Sequence, residues 1–256
     1  KLVETPYLGM EHQSAVAYGN RYNKGYMGSD LSGTGFGMLF DFITIHESGH
    51  EWFGNSITSS DVADMWIHEG FTCYSESVFL ECNFGPEKAS IYINGLKRNV
   101  QNDQPIIGQY GVSNEGSGDM YYKGALMLHT IRSIINDDAK WWKLILDYAN
   151  KFKHQIIGHE TVVDFFNKES GINLTPVFNQ YLRYKNIPVL ELRIQKNKLE
   201  YRWRTDEPNF VMPIDVSINN KPIRLNATND WQKLNQKVKK LKDVSVATHR
   251  FFINVR

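Results

Sequence analysis

The stretch His46-Glu47-Ser48-Gly49-His50, with Glu69 nineteen residues after its second histidine, decides how this chain is interpreted. On a helix, His46 and His50 lie four residues apart and therefore on one face, where two imidazole nitrogens can bind one Zn²⁺. Glu47, the next residue round the helix, can act as a general base toward water. Glu69 would supply the third protein ligand and leave a fourth position open, as catalytic zinc sites do.

The surrounding sequence predicts two helices in antiparallel contact, although H-E-x-x-H by itself also occurs where no metal binds. The run from Met38 to Ile45 is mostly apolar and leads into the histidines, and Gly54-Asn55 is typical of a helix end. Residues 59–61, Ser-Ser-Asp, are typical of a helix N-cap. An antiparallel pair would bring Glu69 back beside the two histidines.

The segment from His46 through Glu76 resembles the gluzincin metallo-aminopeptidases, relatives of aminopeptidase N and of the leukotriene-hydrolysing enzyme. Members combine H-E-x-x-H, eighteen residues and a glutamate with W-x-G-N after the second histidine, which here reads Trp52-Phe53-Gly54-Asn55. The third-ligand segment is His68-Glu69-Gly70-Phe71-Thr72, with histidine in place of the common asparagine. Thermolysin-type peptidases share the first motif, but the tryptophan and E-G-x-T favour the aminopeptidase branch.

A segment near the start of the chain, Leu8-Gly9-Met10-Glu11-His12, resembles the family motif G-x-M-E-N. In that motif the glutamate binds the free α-amine of the substrate. The resemblance assigns this role to Glu11 and implies that Gly9 and Met10 contribute to substrate binding. Leu8 and His12 depart from the motif, and His12 is expected near the substrate cleft.

Two further positions match residues of the family. Tyr121-Tyr122-Lys123-Gly124 resembles Y-x-K-G, whose tyrosine donates a hydrogen bond to the oxyanion. Register favours Tyr121, and Tyr122 remains the alternative. Glu76 lies seven residues after Glu69 on the same helix face and matches a glutamate that orients a zinc-bound histidine. An ordinary solvated carboxylate is the other interpretation of Glu76.

The resemblance implies a zinc-dependent aminopeptidase with one Zn²⁺ per chain. Glu47 would act as base and then as acid, and Tyr121 would stabilise the oxyanion. Glu11 would hold the ammonium of a peptide substrate, so that only the N-terminal peptide bond reaches the metal. An endopeptidase or epoxide-hydrolase relative on the same scaffold is one alternative. A non-catalytic binding module with a vestigial zinc site is another, and the intact set of ligand and catalytic residues argues against it.

Length and composition are those of a folded globular protein. The 256 residues, 41% hydrophobic and 22% charged, fit one large or two modest domains. A net charge of +1 gives no electrostatic case for a nucleic-acid partner. No apolar run approaches the roughly 20 residues that span a bilayer. We expect two buried free thiols at Cys73 and Cys82, because neither has a C-x-x-C partner.

The chain opens at Lys1 without an initiator methionine or a signal-like apolar region. We therefore expect a fragment of a longer protein that would pack against the family's N-terminal domain and possibly its C-terminal helical domain. The compartment stays open, with an inclination toward an extracytoplasmic location.

The predicted fold class is α+β. The resemblance implies a mostly helical, thermolysin-like zinc peptidase domain over residues 1–187 and a small antiparallel β-sandwich over residues 188–256. The hydrophobic period switches to two after Val189, with hairpin turns predicted at Asn197-Lys198 and within residues 219–222. Ala15–Tyr18 is predicted as an edge strand, and residues 103–117 as a loop beside the cleft. Because about 70 residues make a small core, the sandwich should dock on the helices.

Overall fold

The chain begins with a small three-stranded sheet. In the computed structural model, which describes all 256 residues, its strands are β1 (Leu2–Glu4), β2 (Gly9–Met10) and β3 (Val16–Tyr18). β3 lies between the other two, parallel to β1 and antiparallel to β2, and is fully buried. The prediction of an edge strand was therefore wrong. The two flanking strands have three and two residues, too few to show an alternating pattern in the sequence.

Seven α-helices follow, and a short parallel pair of strands lies among them. The elements in chain order are α1 (Phe42–Gly49), β4 (Ile57–Ser59), α2 (Trp66–Phe84), α3 (Pro86–Gly95), α4 (Tyr122–Ile135), α5 (Asp138–Phe152), β5 (Gln155–Ile157), α6 (His159–Ser170) and α7 (Thr175–Arg183). The sequence predicts a helix from residue 86 to about 101 and further helices over residues 124–135, 141–152, 161–168 and 176–184, and these correspond to α3 through α7.

Local capping residues set the limits of the two central helices. Asp41 begins α1 by accepting a hydrogen bond from the backbone N–H of Thr44 at 3.2 Å. His50 follows the last residue of α1 and keeps helical dihedral angles, so it remains on the same face as His46. Asp61 caps the short 3₁₀ turn before α2 by accepting from the N–H of Ala63.

α2 is the longest helix and packs against α1, α3 and α4. Two glycines allow α2 and α4 to approach closely. A Cβ atom at Gly124 would lie only 3.0 Å from the Cα of Gly70. A larger side chain at either position would therefore push the two helices apart. This approach is what carries the start of α4 toward Glu69.

The last third of the chain forms two sheets from seven strands. These are β6 (Val189–Gln195), β7 (Lys198–Arg204), β8 (Val211–Ile218), β9 (Lys221–Thr228), β10 (Gln232–Lys237), β11 (Val244–Val246) and β12 (Asn254–Val255). The strand orders are β10-β7-β6-β12 and β11-β8-β9, antiparallel except for the β12–β6 pair. The indole N–H of Trp203 donates to the Met212 carbonyl at 2.8 Å and links the two sheets. The two-residue β12 is the one parallel strand among the antiparallel strands that were predicted for this region.

Both long hairpins turn through two residues in the left-handed region. Asn219 and Asn220 have φ angles of 48° and 63°, and Lys196 and Asn197 have 49° and 57°. Two consecutive positive φ angles are the mark of a type I′ hairpin turn. The first turn lies one residue before the predicted Asn197-Lys198.

The strands share a hydrophobic core with the helices. One cluster of 56 buried residues runs from Tyr18 through the helices to Ile253. The hydroxyl of Tyr181 donates to the Phe252 carbonyl at 2.5 Å, and the N–H of Phe252 donates to Thr130 at 3.0 Å. The β region therefore docks on the helices, and a domain boundary at residue 187 remains a prediction.

The structure also tests the predictions for the two cysteines and for membrane-spanning segments. Cys73 is buried and free, but Cys82 is free and exposed near the end of α2, so the expectation of two buried thiols was wrong for Cys82. Cys82 lies in the last turn of α2, where residues 82–84 are all exposed. None of the helices combines the length and apolar character that crossing a membrane requires.

Candidate active site

The side chains of His46, His50 and Glu69 converge at the contact between α1 and α2. The Nε2 atoms of His46 and His50 lie 3.4 and 3.3 Å from the Oε2 atom of Glu69. All three residues are buried, and that Oε2 atom accepts no hydrogen bond. Ligand atoms about 2.1 Å from a tetrahedral zinc stand roughly 3.4 Å from one another. The observed separations and the unpaired oxygen therefore fit a Zn²⁺ ion.

Hydrogen bonds to the other ring nitrogens fix both imidazoles in this orientation. His46 Nδ1 lies 2.9 Å from Glu76 Oε1, and His50 Nδ1 lies 3.0 Å from the Phe53 carbonyl oxygen. With Nδ1 as the donor in each ring, Nε2 is left free to bind a metal. Glu76 is completely buried, so it is no solvated carboxylate.

A tyrosine that sequence reasoning missed supports Glu76 from behind. The hydroxyl of Tyr92 on α3 donates to Glu76 Oε2 at 2.6 Å. The spacing between Glu76 and Tyr92 does not predict this bond, because it depends on how α3 packs against α2 in the folded chain. Thr72, within the E-G-x-T segment, donates to the Phe53 carbonyl at 3.3 Å. This is the same carbonyl that contacts His50 Nδ1.

The electrostatics of the cluster favour a bound cation. Burial would raise the pKa of Glu69, but the imidazoles of His46 and His50 beside its carboxylate hold that pKa at about 2. Burial would lower the pKa of His46, yet the carboxylates of Glu69 and Glu76 raise it to about 10. Glu69 is therefore ionised at neutral pH, and a divalent cation bound beside it would take the place of the proton on His46.

Glu47 projects from α1 beside this cluster. It is buried, its Oε2 atom has no hydrogen-bond partner, and burial raises its pKa. Gly9 on β2 provides the space, because a Cβ atom there would lie 2.5 Å from Glu47 Oε1. Ligand-type atoms of Glu11, Glu47 and His50 all lie within 4.8 Å of one another. Two carboxylates thus face each other next to the metal donors.

The other residues of the segment Leu8–His12, which resembles G-x-M-E-N, lie at the rim of this site. Glu11 is half-buried, and its carbonyl oxygen accepts a hydrogen bond from Asn55 Nδ2 at 2.7 Å. Met10 is 44% exposed on β2, and His12 is exposed. The structure therefore brings Gly9 and Glu11 to the cluster and leaves Met10 and His12 at the surface beside it.

Tyr121 and Tyr122 point to different surroundings. The ring of Tyr121 stacks on His46 with centroids 6.1 Å apart, and burial together with the Glu69 carboxylate raises its pKa. Its hydroxyl therefore stays protonated and can donate a hydrogen bond. Burial also raises the pKa of Tyr122, but the titratable groups near it are Cys73, Glu76 and Tyr26, and Glu69 is not among them. The geometry favours Tyr121 as the donor toward the metal side.

A polar cluster that the sequence did not reveal joins the loop over residues 103–117 to the 3₁₀ turn before α2 and to the start of α6. The Tyr110 hydroxyl donates to Asp64 Oδ1 at 2.7 Å and lies 3.0 Å from His159 Nδ1. Glu115 in this loop is close enough to contribute to the raised pKa of Tyr121. The loop therefore lies beside Tyr121, on the side where the cleft was expected.

The other histidines make structural contacts. His68 Nε2 accepts a hydrogen bond from the N–H of Ser59 at 2.9 Å, and burial lowers its pKa. It is not directed at the metal donors. His129 Nε2 bonds the His249 carbonyl at 2.9 Å, and His159 Nε2 lies 2.7 Å from the Arg183 guanidinium.

Comparison with known sequences gives one family. The profile of the Peptidase family M1 domain matches residues 9–181. Aminopeptidase B of Mus musculus is 26% identical over 166 residues, which are 57% of this chain and 25% of the relative. Alanine/arginine aminopeptidase of Saccharomyces cerevisiae is 25% identical over 195 residues, 68% of this chain and 22% of the relative. The chain thus spans about a quarter of the length of these relatives.

Solved structures with the same fold include two peptidases. Legionella pneumophila aminopeptidase A, in complex with aspartic acid, matches with a TM-score of 0.68 and 13% identity over 100% of this chain and 31% of its own. A mutant M1 zinc metallopeptidase from Deinococcus radiodurans, bound to a Tyr-Ser-Ala substrate, matches with a TM-score of 0.55 and 17% identity over 73% of this chain and 39% of its own. At these identities the likeness concerns the fold.

Proposed function

The chain belongs to the M1 peptidase family, and on that basis we propose that it forms the catalytic domain of a zinc-dependent aminopeptidase. It would hydrolyse the N-terminal peptide bond of peptides that have a free amino terminus. One observation carries the proposal: the carboxylates of Glu11 and Glu47 meet beside His50, at the edge of the His46, His50 and Glu69 cluster. A substrate ammonium at Glu11 would lie next to both the metal donors and the candidate base.

The metal would be held by Nε2 of His46, Nε2 of His50 and a carboxylate oxygen of Glu69. When bound there, Zn²⁺ supplies Lewis-acid chemistry that polarises a carbonyl and makes water more acidic. Glu76 holds the His46 ring through Nδ1, and the Phe53 carbonyl holds the His50 ring in the same way.

Glu47 would move the proton. Its carboxylate takes a proton from the attacking water as the oxygen bonds the scissile carbonyl carbon, and then gives that proton to the leaving amine as the C–N bond breaks. Burial raises the pKa of Glu47, which brings it closer to the range in which a carboxyl can both accept and donate near neutral pH.

Tyr121 would stabilise the oxyanion, and Glu11 would fix the position of cleavage. The Tyr121 hydroxyl stays protonated, so it can donate a hydrogen bond where negative charge develops. Glu11 would bind the ammonium of the first residue. An endopeptidase on this scaffold would have no free substrate amine to bind at that point.

Zinc titration of the metal-free chain tests the ligand assignment. We expect one Zn²⁺ per chain and a loss of more than about 100-fold in affinity for Glu69→Ala, because removing an outer hydrogen-bond partner alone costs about 10–100-fold. Glu87→Ala, an exposed residue at the start of α3, is the matched control. Full zinc affinity in Glu69→Ala would contradict the assignment.

Binding of two small ligands tests the amine site on the zinc-loaded chain. L-alanine hydroxamate and its N-acetyl derivative share a metal-binding group and differ in the ammonium. We expect the free amine to bind about 10–100-fold more tightly, since a charge-assisted hydrogen bond contributes about 1.5–3 kcal/mol. Glu11→Gln should remove most of this preference. Equal binding of both ligands by the wild-type chain would refute an aminopeptidase site.

Cleavage assays separate the enzyme from a vestigial module. The full-length protein that contains this chain should hydrolyse alanyl arylamides and leave the N-acetylated forms intact, and Glu47→Gln should abolish turnover while zinc stays bound. Zinc binding without any hydrolysis would favour the non-catalytic alternative.

A further inference from the structure

Asn55, in the Gly54-Asn55 pair that follows the zinc motif, has no part in the chemistry described above. Its backbone N–H donates to the His50 carbonyl at 2.9 Å, so the residue is fixed directly after α1. Its side-chain amide donates to the carbonyl oxygen of Glu11 at 2.7 Å. One side chain therefore joins the turn after a candidate metal ligand to the backbone of the residue assigned to the substrate amine.

A second hydrogen bond joins the same two parts of the molecule at the other end of α1. The hydroxyl of Tyr18 donates to Asp41 Oδ2, and Asp41 is the N-cap of α1. Tyr18 is 1% exposed and pairs with Gly9 across the ladder between β3 and β2. Asn20 also donates to the Asp41 carboxylate, at 2.8 Å. The sheet that carries the amine-binding segment is thus bonded to the first turn of α1 as well.

These two attachments matter because β2 itself is very short. The strand has two residues, pairs only with β3 and is partly exposed. Gly9 packs directly on Glu47, and Glu11 lies two residues farther along the chain. A shift of β2 along α1 would therefore change the separation between Glu11 and the metal donors without disturbing the donors themselves.

We propose that Asn55 and Tyr18 are positioning residues that hold Glu11 at a fixed separation from the metal site, and that they thereby set the selectivity for a free substrate amine. This inference rests on the proposed function. A misplacement of about 1 Å can remove much of a positioned interaction, so the two bonds control recognition of the amine without touching it.

The test compares the hydroxamate preference and the zinc affinity of four variants of the zinc-loaded chain. Asn55→Ala should lower the preference for the free amine by about fivefold, the equivalent of one hydrogen bond, and leave zinc affinity within about twofold of wild type. Tyr18→Phe should lower it by about threefold. Asn94→Ala and Tyr181→Phe are matched controls, because each removes a comparable long-range hydrogen bond away from the site.

The outcomes separate this inference from the proposed function. If Asn55→Ala and Tyr18→Phe both bind the free-amine hydroxamate with the full wild-type preference, the positioning role is overturned. The assignment of Glu11 to the substrate amine is then unaffected. A parallel loss of zinc affinity in those variants would also overturn the positioning role, because the residues would then act through the metal ligands. A wild-type chain without any preference would refute the proposed function itself. If Asn55→Ala fails to fold, Tyr18→Phe alone decides.

Discussion

Replacing Glu76 by glutamine should weaken zinc binding by about tenfold. Glu76 is completely buried, and its Oε1 atom lies 2.9 Å from His46 Nδ1. Glutamine keeps the shape of the side chain and an acceptor oxygen but removes the negative charge. The change therefore isolates the charge of the group behind a metal ligand, with the ligand itself untouched.

The magnitude follows from the hydrogen bonds that change. A bond to a charged group contributes about 1.5–3 kcal/mol and a neutral one about 0.5–1.5 kcal/mol. The difference of about 1–1.5 kcal/mol corresponds to roughly tenfold in affinity. This value lies at the lower end of the loss of about 10–100-fold that outer partners of metal ligands usually produce.

A second variant provides a comparison for the loss of zinc affinity in Glu76→Gln. Tyr92→Phe removes the hydroxyl that donates to Glu76 Oε2 at 2.6 Å and leaves the contact with His46 in place. Its effect on zinc affinity should be smaller than that of Glu76→Gln, about two- to threefold, because it acts through one further hydrogen bond.

The assay is competition for Zn²⁺ with a chromophoric chelator, at a fixed pH and with thermal unfolding of each variant measured in parallel. Glu87→Gln and Tyr181→Phe serve as controls for the two chemical changes. The reasoning would be refuted by a Glu76→Gln affinity within twofold of wild type. A larger loss in Tyr92→Phe than in Glu76→Gln would refute it as well.

Three further outcomes follow from the structure. Tyr121→Phe should lower kcat on alanyl arylamides by about 100–1,000-fold and Tyr122→Phe by far less, and equal losses would contradict the assignment of Tyr121. Gly9→Ala should displace the Glu47 carboxylate, because the new Cβ would lie 2.5 Å from its Oε1, and lower kcat by about 10–100-fold with zinc affinity retained. Burial lowers the pKa of His129 from 6.5 to about 4, so the unfolded chain binds more protons between these values. In urea unfolding, wild type should lose stability relative to His129→Asn as the pH falls from 6.5 to 4, and a constant difference would exclude this effect.

The regular elements could largely be predicted from local sequence. Helical periodicity and capping residues indicate α3 through α7, and alternation with Asn-rich turns indicates the hairpins of the last third. The predictions failed where the position or exposure of a residue depends on the elements that pack around it. β3 became a central strand because two short, exposed strands flank it, and Cys82 became exposed because it lies in the last turn of α2, where residues 82–84 are all exposed.

The sequence by itself determined which residues form the candidate metal site. His46, Glu47 and His50 are held together by one helix, and the spacing to Glu69 on the next helix is short, so helix periodicity was enough to group them. The Tyr121 and Glu11 assignments depended on motif resemblance, since each lies far along the chain from the histidines.

Only the tertiary structure decided which side chains hold these groups in place. Tyr92 reaches Glu76, Asn55 reaches Glu11, and Tyr18 reaches Asp41 across contacts between elements that are separate in sequence. Such partners carry no fixed spacing, because their separation along the chain depends on loop lengths, whereas a hydrogen bond requires only that two atoms meet within about 3 Å. The reacting groups could therefore be named from local patterns, and the contacts that position them became visible only in the folded chain.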